Sequence, residues 1–467
     1  MSFMTSPTNP PAPLSGNNHS RHQFTREQAK RILIHNARFL FTGDEADHIL
    51  MQAGQSLVIE DGIIAESGPA KKFNPKDFDY FYDANRRGGT VITPGFINTH
   101  AHCHMYLMRS AMMLDEGEGI DETIDAMAAW QKYETDEALA VAAIGDITEQ
   151  QKSGITTTLS HGPSFGAIEE ATIATGHNTI NAVSAVSNSR PDNTPEAIVE
   201  LLKNKSKYKS IPAVAIHYLY KAPGEVLEKI KKLVDDNDLL LTFHMAESQK
   251  VVLETLGRHG LKETAVLKKY GLLNSRSLAS HVLHVDSDEI AELAAAQVGI
   301  AHLPTSNAIH KSGIFKYWDF DAAGGFARVA LGTDSVVSKS RLDLLSEAYQ
   351  ARITHLYNRT IKFGSLFKML TVNGARVLRL PDRGKLLPGY KADLAFWKIK
   401  DRGFIPYDEN HPITLLGNLI THGGRAVRDL MVNGQFVIKD RRHALVNESQ
   451  LLAQIQNAHM EMRGRIQ

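Results

Sequence analysis

Between Thr93-Pro94-Gly95 and Leu331 the sequence alternates β-like and helix-like runs eight times, and few architectures accept that pattern. Candidate strands fall at 96–102, 155–160, 180–186, 213–217, 239–244, 277–282, 299–302 and 327–331. Helical periodicities at 137–151, 168–175, 195–203, 225–234, 251–270 and 288–296 separate most of them, and 342–355 follows the last. Eight such units in about 240 residues predict an α/β fold of the (β/α)8 TIM-barrel class, parallel strands inside and helices outside. Turn-punctuated β runs flank this region: 31–34, 56–59, the Asp61-Gly62 turn and 63–65 before it, and 427–432, Asn433-Gly434 and 435–438 after it. Asn-Gly between apolar runs is a strong hairpin signal. The two flanks are expected to pair into a small β-sandwich beside the barrel. The expected division is a disordered tail at 1–24, the sandwich at 25–93 and 378–446, the barrel at 94–377, and a helical segment at 447–467.

Composition narrows the class. Lysine plus arginine and aspartate plus glutamate each number 52, so no net field favours nucleic acid or an anionic membrane. No apolar run reaches the roughly eighteen residues of a spanning helix, and the Pro-, Ser- and Asn-rich start lacks a signal-peptide core. Cys103 is the one cysteine of the sequence, which excludes an intramolecular disulfide and any Cys-x-x-Cys metal site. A soluble cytoplasmic protein acting on a small molecule is expected, with neither nucleic acid nor membrane as partner.

Six side chains carry the chemistry: His100 and His102 in Asn98-Thr99-His100-Ala101-His102, His244 and Glu247 in His244-Met245-Ala246-Glu247, His281, and Asp334 in Gly332-Thr333-Asp334. With 21 histidines in 467 residues, roughly one His-x-His arises by chance, so the pair alone weighs little. Position adds the weight. All six lie at or just past the C-terminal ends of predicted barrel strands one, five, six and eight, the rim where barrel enzymes place reacting groups. Alternate residues of a strand share a face, so His100 and His102 can enter one cavity together. Imidazoles plus a carboxylate suit a borderline cation such as zinc and leave a position open for water. Each residue has a structural alternative: His100 and His102 as a satisfied core pair, His244 as a strand cap, Glu247 as a first-turn carboxylate, Asp334 as an N-cap. His281 competes with His284, and His281 is preferred as nearer the strand end. His104, Cys103 and the methionines at 105, 108, 112 and 113 read as pocket lining or packing. Asp115, Glu116 and Glu118 read as a solvated loop.

These motifs resemble the amidohydrolase superfamily, and within it the branch of guanine, cytosine, adenosine and methylthioadenosine/S-adenosylhomocysteine deaminases. The resemblance is carried by Pro94-Gly95-Phe96-Ile97-Asn98-Thr99-His100-Ala101-His102, His244-Met245-Ala246-Glu247, His281, Ala301-His302-Leu303-Pro304-Thr305-Ser306-Asn307 and Leu331-Gly332-Thr333-Asp334-Ser335. It extends to the flanks through Ile59-Glu60-Asp61-Gly62-Ile63-Ile64 and Lys391-Ala392-Asp393-Leu394. It implies one divalent ion, zinc with ferrous iron as the alternative, held by His100, His102, His244 and Asp334. It further implies that His281 orients the attacking water, that Glu247 shuttles protons, and that His217, His302 and Asn307 contact substrate. A homo-oligomer is expected on the same ground. No lysine sits at a strand end to bridge two ions, and Lys221 lies past its strand, so a mononuclear site is expected.

The implied reaction is hydrolytic deamination: metal-bound hydroxide attacks the amino-bearing carbon of a purine-, pyrimidine- or pterin-like ring, with Asp334 and Glu247 moving protons and ammonia leaving. Formimino or guanidino deimination, chlorohydrolysis and cyclic-amide opening use the same residues and stand as alternatives. A non-catalytic scaffold on this fold is disfavoured because the whole ligand set is present. Two substrate-facing stretches depart from the branch's usual pattern: 112–131, where Trp130 alone matches the expected loop, and Ile216-His217-Tyr218-Leu219-Tyr220-Lys221.

Overall fold

A computed structural model describes residues 30–110, 119–187, 190–338, 341–356, 358–401, 403–423 and 427–466. The tail expected at 1–24, and Met112, Met113, Asp115, Glu116 and Glu118, lie outside the described residues. Among the described residues seventeen strands form two sheets. The outer sheet uses β1 (Arg31–Gly43), β2 (Ile49–Glu60), β3 (Ile63–Pro69), β4 (Tyr80–Asp83) and β5 (Thr90–Pro94). The barrel follows with β6 (Phe96–Ala101), β7 (Ile155–Gly162), β8 (Asn178–Ser184), β9 (Ile211–Tyr218), β10 (Leu241–Met245), β11 (Ser277–His281), β12 (Gly299–His302) and β13 (Val329–Leu331). The chain returns to the outer sheet with β14 (Leu394–Lys398), β15 (Val427–Val432), β16 (Gln435–Lys439) and β17 (Arg442–His443).

β6 to β13 pair in sequence order, all parallel. The cylinder is nearly closed by the seam between β6 and the end of β13. There Thr333 and Asp334 N–H donate to the His100 carbonyl at 3.1 and 3.0 Å, and Thr99 Oγ1 donates to Leu331 O at 2.8 Å. Gly332 permits this approach, since a Cβ there would lie 2.9 Å from both His100 N and O. Strand periodicity sorts the residues. On β10, Leu241, Phe243 and Met245 enter the large apolar cluster beneath the outer helices, which turns Thr242 and His244 towards the axis. The barrel interior is packed with small residues, among them Ala182, Ala213, Ala215, Ala301 and Ala330, and one end is covered by Ala375, Val377, Leu378 and Leu380. The open end carries the site.

The expected helices form, with one change. The periodicity at 251–270 is two helices, Gln249–His259 and Glu263–Lys269. Gly260 adopts a left-handed φ of +66° and donates its N–H to Leu256 O, which ends the first helix where a residue with a Cβ would be strained. Apolar spacing on either side of such a cap is nearly continuous, so periodicity alone misses it.

The flanking β segments pair with each other in a nine-stranded mixed sheet of order β17-β16-β15-β14-β5-β1-β2-β3, with β4 beside β1. Phe39, Phe41, Val91 and Trp397 face the barrel cluster, while Ile34, Leu40, Ile92 and Phe396 gather in a separate core. Trp397 joins the two bodies: it is fully buried, its ring lies 5.5 Å from Phe96, and its Nε1 donates to Thr93 Oγ1 at 2.9 Å. The C-terminal helix Glu448–Ile466 buries Leu451 and Met462. Its His459 stacks on Trp130 and donates from Nδ1 to Leu107 O at 2.7 Å, bracing the turn that follows His102. Among the described residues, no helix is long and apolar enough to cross a membrane.

Candidate metal centre

Three imidazoles meet at the open end of the barrel. His100 and His102 stand at the end of β6 and His244 near the end of β10, and their ligand atoms lie within 4.8 Å of one another. His100 Nε2 and His102 Nε2 are 3.1 Å apart, and His102 Nε2 and His244 Nε2 are 3.3 Å apart. The far nitrogens decide what this means. His102 Nδ1 donates to His161 O at 3.0 Å and His244 Nδ1 to His217 O at 2.8 Å, because a carbonyl can only accept. Their Nε2 atoms therefore carry lone pairs and no proton. Burial holds all three rings below the ordinary histidine range, so they are neutral at pH 7. Lone pairs pointed at one another in a dry site repel unless a cation lies between them, and backbone-anchored, deprotonated imidazoles are what a divalent ion binds.

Asp334 faces the same imidazoles from the other side of the seam. Its Oδ1 lies 3.6 Å from His102 Nε2 and 3.8 Å from His100 Nε2. Its Oδ2 accepts from Ser306 Oγ at 2.6 Å and Ser338 Oγ at 3.2 Å, so only Oδ1 is turned to the imidazoles. Burial opposes ionisation, but the facing His102, His100 and His281 rings and the Ser306 hydroxyl overcome it, holding the carboxyl below the usual carboxylate range. Three neutral nitrogens and one carboxylate oxygen fit a borderline divalent ion.

Beside this cluster lie Glu247 and His281. Glu247 is 2 % exposed; its Oε2 accepts from Tyr218 Oη at 2.6 Å and its Oε1 lies 3.4 Å from His281 Nε2. His281 Nδ1 donates to Asn307 Oδ1 at 2.8 Å, which turns Nε2 towards Glu247. Ala246, His281, Val282 and Asp334 all have φ between +47° and +70°. Such conformations are costly for residues with a Cβ and cluster where a strand end must turn its side chain into a site.

A half-open cavity of about 370 Å³, counting solvent at its mouth, lies over the cluster. His102, His244, Glu247 and Asp334 form its polar floor with His217, Tyr218 and His310, while Met105, Ile120, Ile124, Met127 and Val337 form an apolar wall. His217 borders the cavity and its Nδ1 lies 3.0 Å from Lys221 Nζ, which also sits 5.4 Å from the centroid of the Tyr218 ring. Two expected substrate contacts sit elsewhere. Asn307 lies behind His281, and His302 does not border the cavity but stacks on Phe315 with centroids 4.6 Å apart. Cys103 and His104 are buried away from it as well, the thiol pushed up by burial and then by Asp146. Sequence reasoning missed Tyr218, Ser306 and Ser338. The first two lie inside motifs already singled out, whereas nothing in the sequence around Ser338 distinguishes it.

The Amidohydrolase family model matches residues 91–437. The chain is 28 % identical to the 5-methylthioadenosine/S-adenosylhomocysteine deaminase of Pyrococcus furiosus, over 90 % of this chain and 98 % of that protein. It is 29 % identical to the enzyme of the same name from Syntrophomonas wolfei, over 88 % and 94 %. Among solved structures, an adenosine deaminase from Xanthomonas campestris with bound zinc superposes with a TM-score of 0.83 at 20 % identity, covering 93 % of this chain and 98 % of that one. Atrazine chlorohydrolase from Arthrobacter aurescens TC1, complexed with zinc, gives 0.82 at 20 % identity, covering 92 % and 100 %. With the match spanning most of its length, from the last strand before the barrel to the hairpin after it, the chain belongs to the amidohydrolase family.

Proposed function

We propose that this protein is a divalent-metal-dependent aminohydrolase that releases ammonia from an amino-substituted heterocycle. The observation that carries the reading is the convergence of proton-free Nε2 atoms on His102 and His244, with the Glu247–His281 pair alongside. His100, His102, His244 and Asp334 would hold one ion, zinc before ferrous iron. When bound, such an ion lowers the pKa of a coordinated water from 15.7 towards about 7 and so supplies a nucleophile at neutral pH.

The protein's own groups do the rest. Asp334 Oδ1 takes a proton from the attacking water, while Oδ2 stays committed to the two serines. His281, its Nδ1 proton given to Asn307, presents Nε2 to the water and fixes its direction. Glu247, held by the Tyr218 hydroxyl, delivers a proton to the ring nitrogen beside the amino-bearing carbon; the proton held by Asp334 then goes to the leaving amine, and the proton of the new C–OH returns to Glu247 as the carbonyl forms and ammonia departs. His217 at the cavity wall contacts the ring, and the apolar wall opposite excludes water from it. A purine-, pyrimidine- or pterin-like C(NH₂)=N group meets this arrangement. The names of the deaminase relatives, at 28 % and 29 % identity over most of the chain, support the purine member of that set. A cytoplasmic location and a homo-oligomeric assembly belong to the same proposal.

The test is a panel on zinc-loaded protein: 5′-methylthioadenosine, S-adenosylhomocysteine, adenosine, free nucleobases, pterins and formimino acids scored for ammonia, and a chlorotriazine scored for chloride. Ammonia from a ring substrate supports the proposal. Chloride release or formimino turnover alone replaces it with the corresponding alternative.

A further inference from the structure

Two buried carboxyl groups take no part in these steps. Glu263, the first residue of the helix Glu263–Lys269, is 3 % exposed, and Glu347, in the helix Leu344–His355, is 1 % exposed. Among the described residues neither forms an ion pair, and a buried carboxyl without a cation is rare unless something needs its oxygens.

Each accepts one backbone N–H just past a barrel strand on the way to the site, Ala246 in the turn after β10 and Thr305 in the first turn of the short helix Pro304–Ile309. Ala246 N–H donates to Glu263 Oε2 at 2.7 Å, and Thr305 N–H donates to Glu347 Oε2 at 3.1 Å. Ala246 lies between His244 and Glu247 and holds a left-handed φ of +47°. Its peptide has left the strand ladder, so its N–H needs an acceptor that no neighbouring strand provides. Thr305 precedes Ser306 and Asn307, the residues that hold Asp334 Oδ2 and His281 Nδ1. One device thus recurs behind two different strands, and each copy stands directly behind residues that face the reacting groups.

We propose that Glu263 and Glu347 are positioning residues that clamp the backbone of two site segments, the turn after β10 and the first turn of the helix Pro304–Ile309. Glu263 aims Glu247 through Ala246, and Glu347 sets Ser306 and Asn307 through Thr305, an inference that rests on the roles assigned above to Glu247, His281 and Asp334. Burial pushes both carboxyls up to about 8. At neutral pH each is then mainly the uncharged acid, and its accepting oxygen, rather than its charge, is what the backbone N–H uses. Glutamine keeps that oxygen and leucine removes it, so the pair of substitutions separates clamping from bulk and from charge.

The experiment compares Glu263→Gln, Glu263→Leu, Glu347→Gln and Glu347→Leu in the full-length, zinc-loaded protein. Amide hydrogen exchange is followed in segments 244–248 and 303–307, with zinc content and, on the best substrate of the panel, kcat and KM. The leucine variants are expected to exchange at least about tenfold faster in their own segment and to lose at least about tenfold in kcat with KM little changed. The glutamine variants should match the wild type in both. Unchanged exchange in the leucine variants overturns the proposal, and so does accelerated exchange in the glutamine variants. If a leucine variant does not fold, the glutamine variant decides: wild-type exchange supports the clamp and faster exchange removes it. A panel without any turnover counts against the aminohydrolase reading alone, because the exchange comparison still tests the clamp.

Discussion

Tyr218 Oη donates to Glu247 Oε2 at 2.6 Å, tying the last residue of β9 to the carboxyl that stands just past the end of β10. Both side chains are buried, at 1 % and 2 % exposure, so the bond is made where no solvent competes. A hydrogen bond to a buried carboxylate is worth about 1.5–3 kcal/mol. Tyr218→Phe is therefore expected to lower kcat by about ten- to hundredfold without loss of zinc. Steady-state kinetics with metal analysis check this, and wild-type kcat would show that Glu247 needs no such support.

Glu247 and Asp334 should separate cleanly. Glu247→Gln keeps the shape of the cavity floor and removes proton transfer, so the metal should stay while turnover drops by about 10²- to 10⁴-fold. Asp334→Ala removes an oxygen facing His102 at 3.6 Å and should lose both metal and activity. Elemental analysis after gel filtration reads the difference. Full metal stoichiometry in Asp334→Ala would remove that residue from the donor set.

Acid should destabilise the fold through His177, far from the centre. The ring is 4 % exposed, and burial, then Arg383, lowers its pKa to about 3. Between pH 6.5 and 3 the unfolded chain takes up a proton here that the native ring refuses, so stability falls as pH falls through that window. From the ordinary value down to pH 5 this amounts to about 2 kcal/mol. His177→Gln should flatten that part of the acid limb in urea unfolding measured at pH 7 and 5. An unchanged slope would assign the acid sensitivity to other groups.

Trp397 should bind the outer sheet to the barrel energetically as well as geometrically. Replacing a fully buried tryptophan by alanine costs about 3–5 kcal/mol, and here it also removes the indole N–H that Thr93 Oγ1 accepts, leaving that hydroxyl its bond to Pro94 O. Trp397→Ala is expected to lower the denaturation midpoint by an amount matching that cost. The imidazole cluster should still take up zinc in the folded fraction. Loss of zinc from protein that remains folded would show the sheet to be part of the site.

The barrel and the clustering of its rim were legible because both follow from local period. Alternation on 241–245 turns His244 inward, and the same rule brings His100 and His102 to one face, whatever else surrounds them. Closure of parallel strands then makes remote strand ends neighbours, so Asp334 meets His100 although 234 positions separate them. What stayed hidden depends on register, rotamer and left-handed turns. The halves of 251–270 look like one helix until Gly260 is seen capping the first. His302 ends its strand as His244 nearly ends its own, yet it stacks on Phe315 beside the barrel instead of bordering the cavity. The partners that orient the site, Tyr218 on Glu247, Ser338 on Asp334 and Glu263 on Ala246, join residues whose pairing no periodicity encodes. The amino-acid order thus determined which chemical groups reach the mouth of the barrel, since side-chain direction along a strand is a short-range property. Tertiary structure alone decided which lone pairs face one another and which donors hold them, because tenths of an ångström between separate elements set every hydrogen bond.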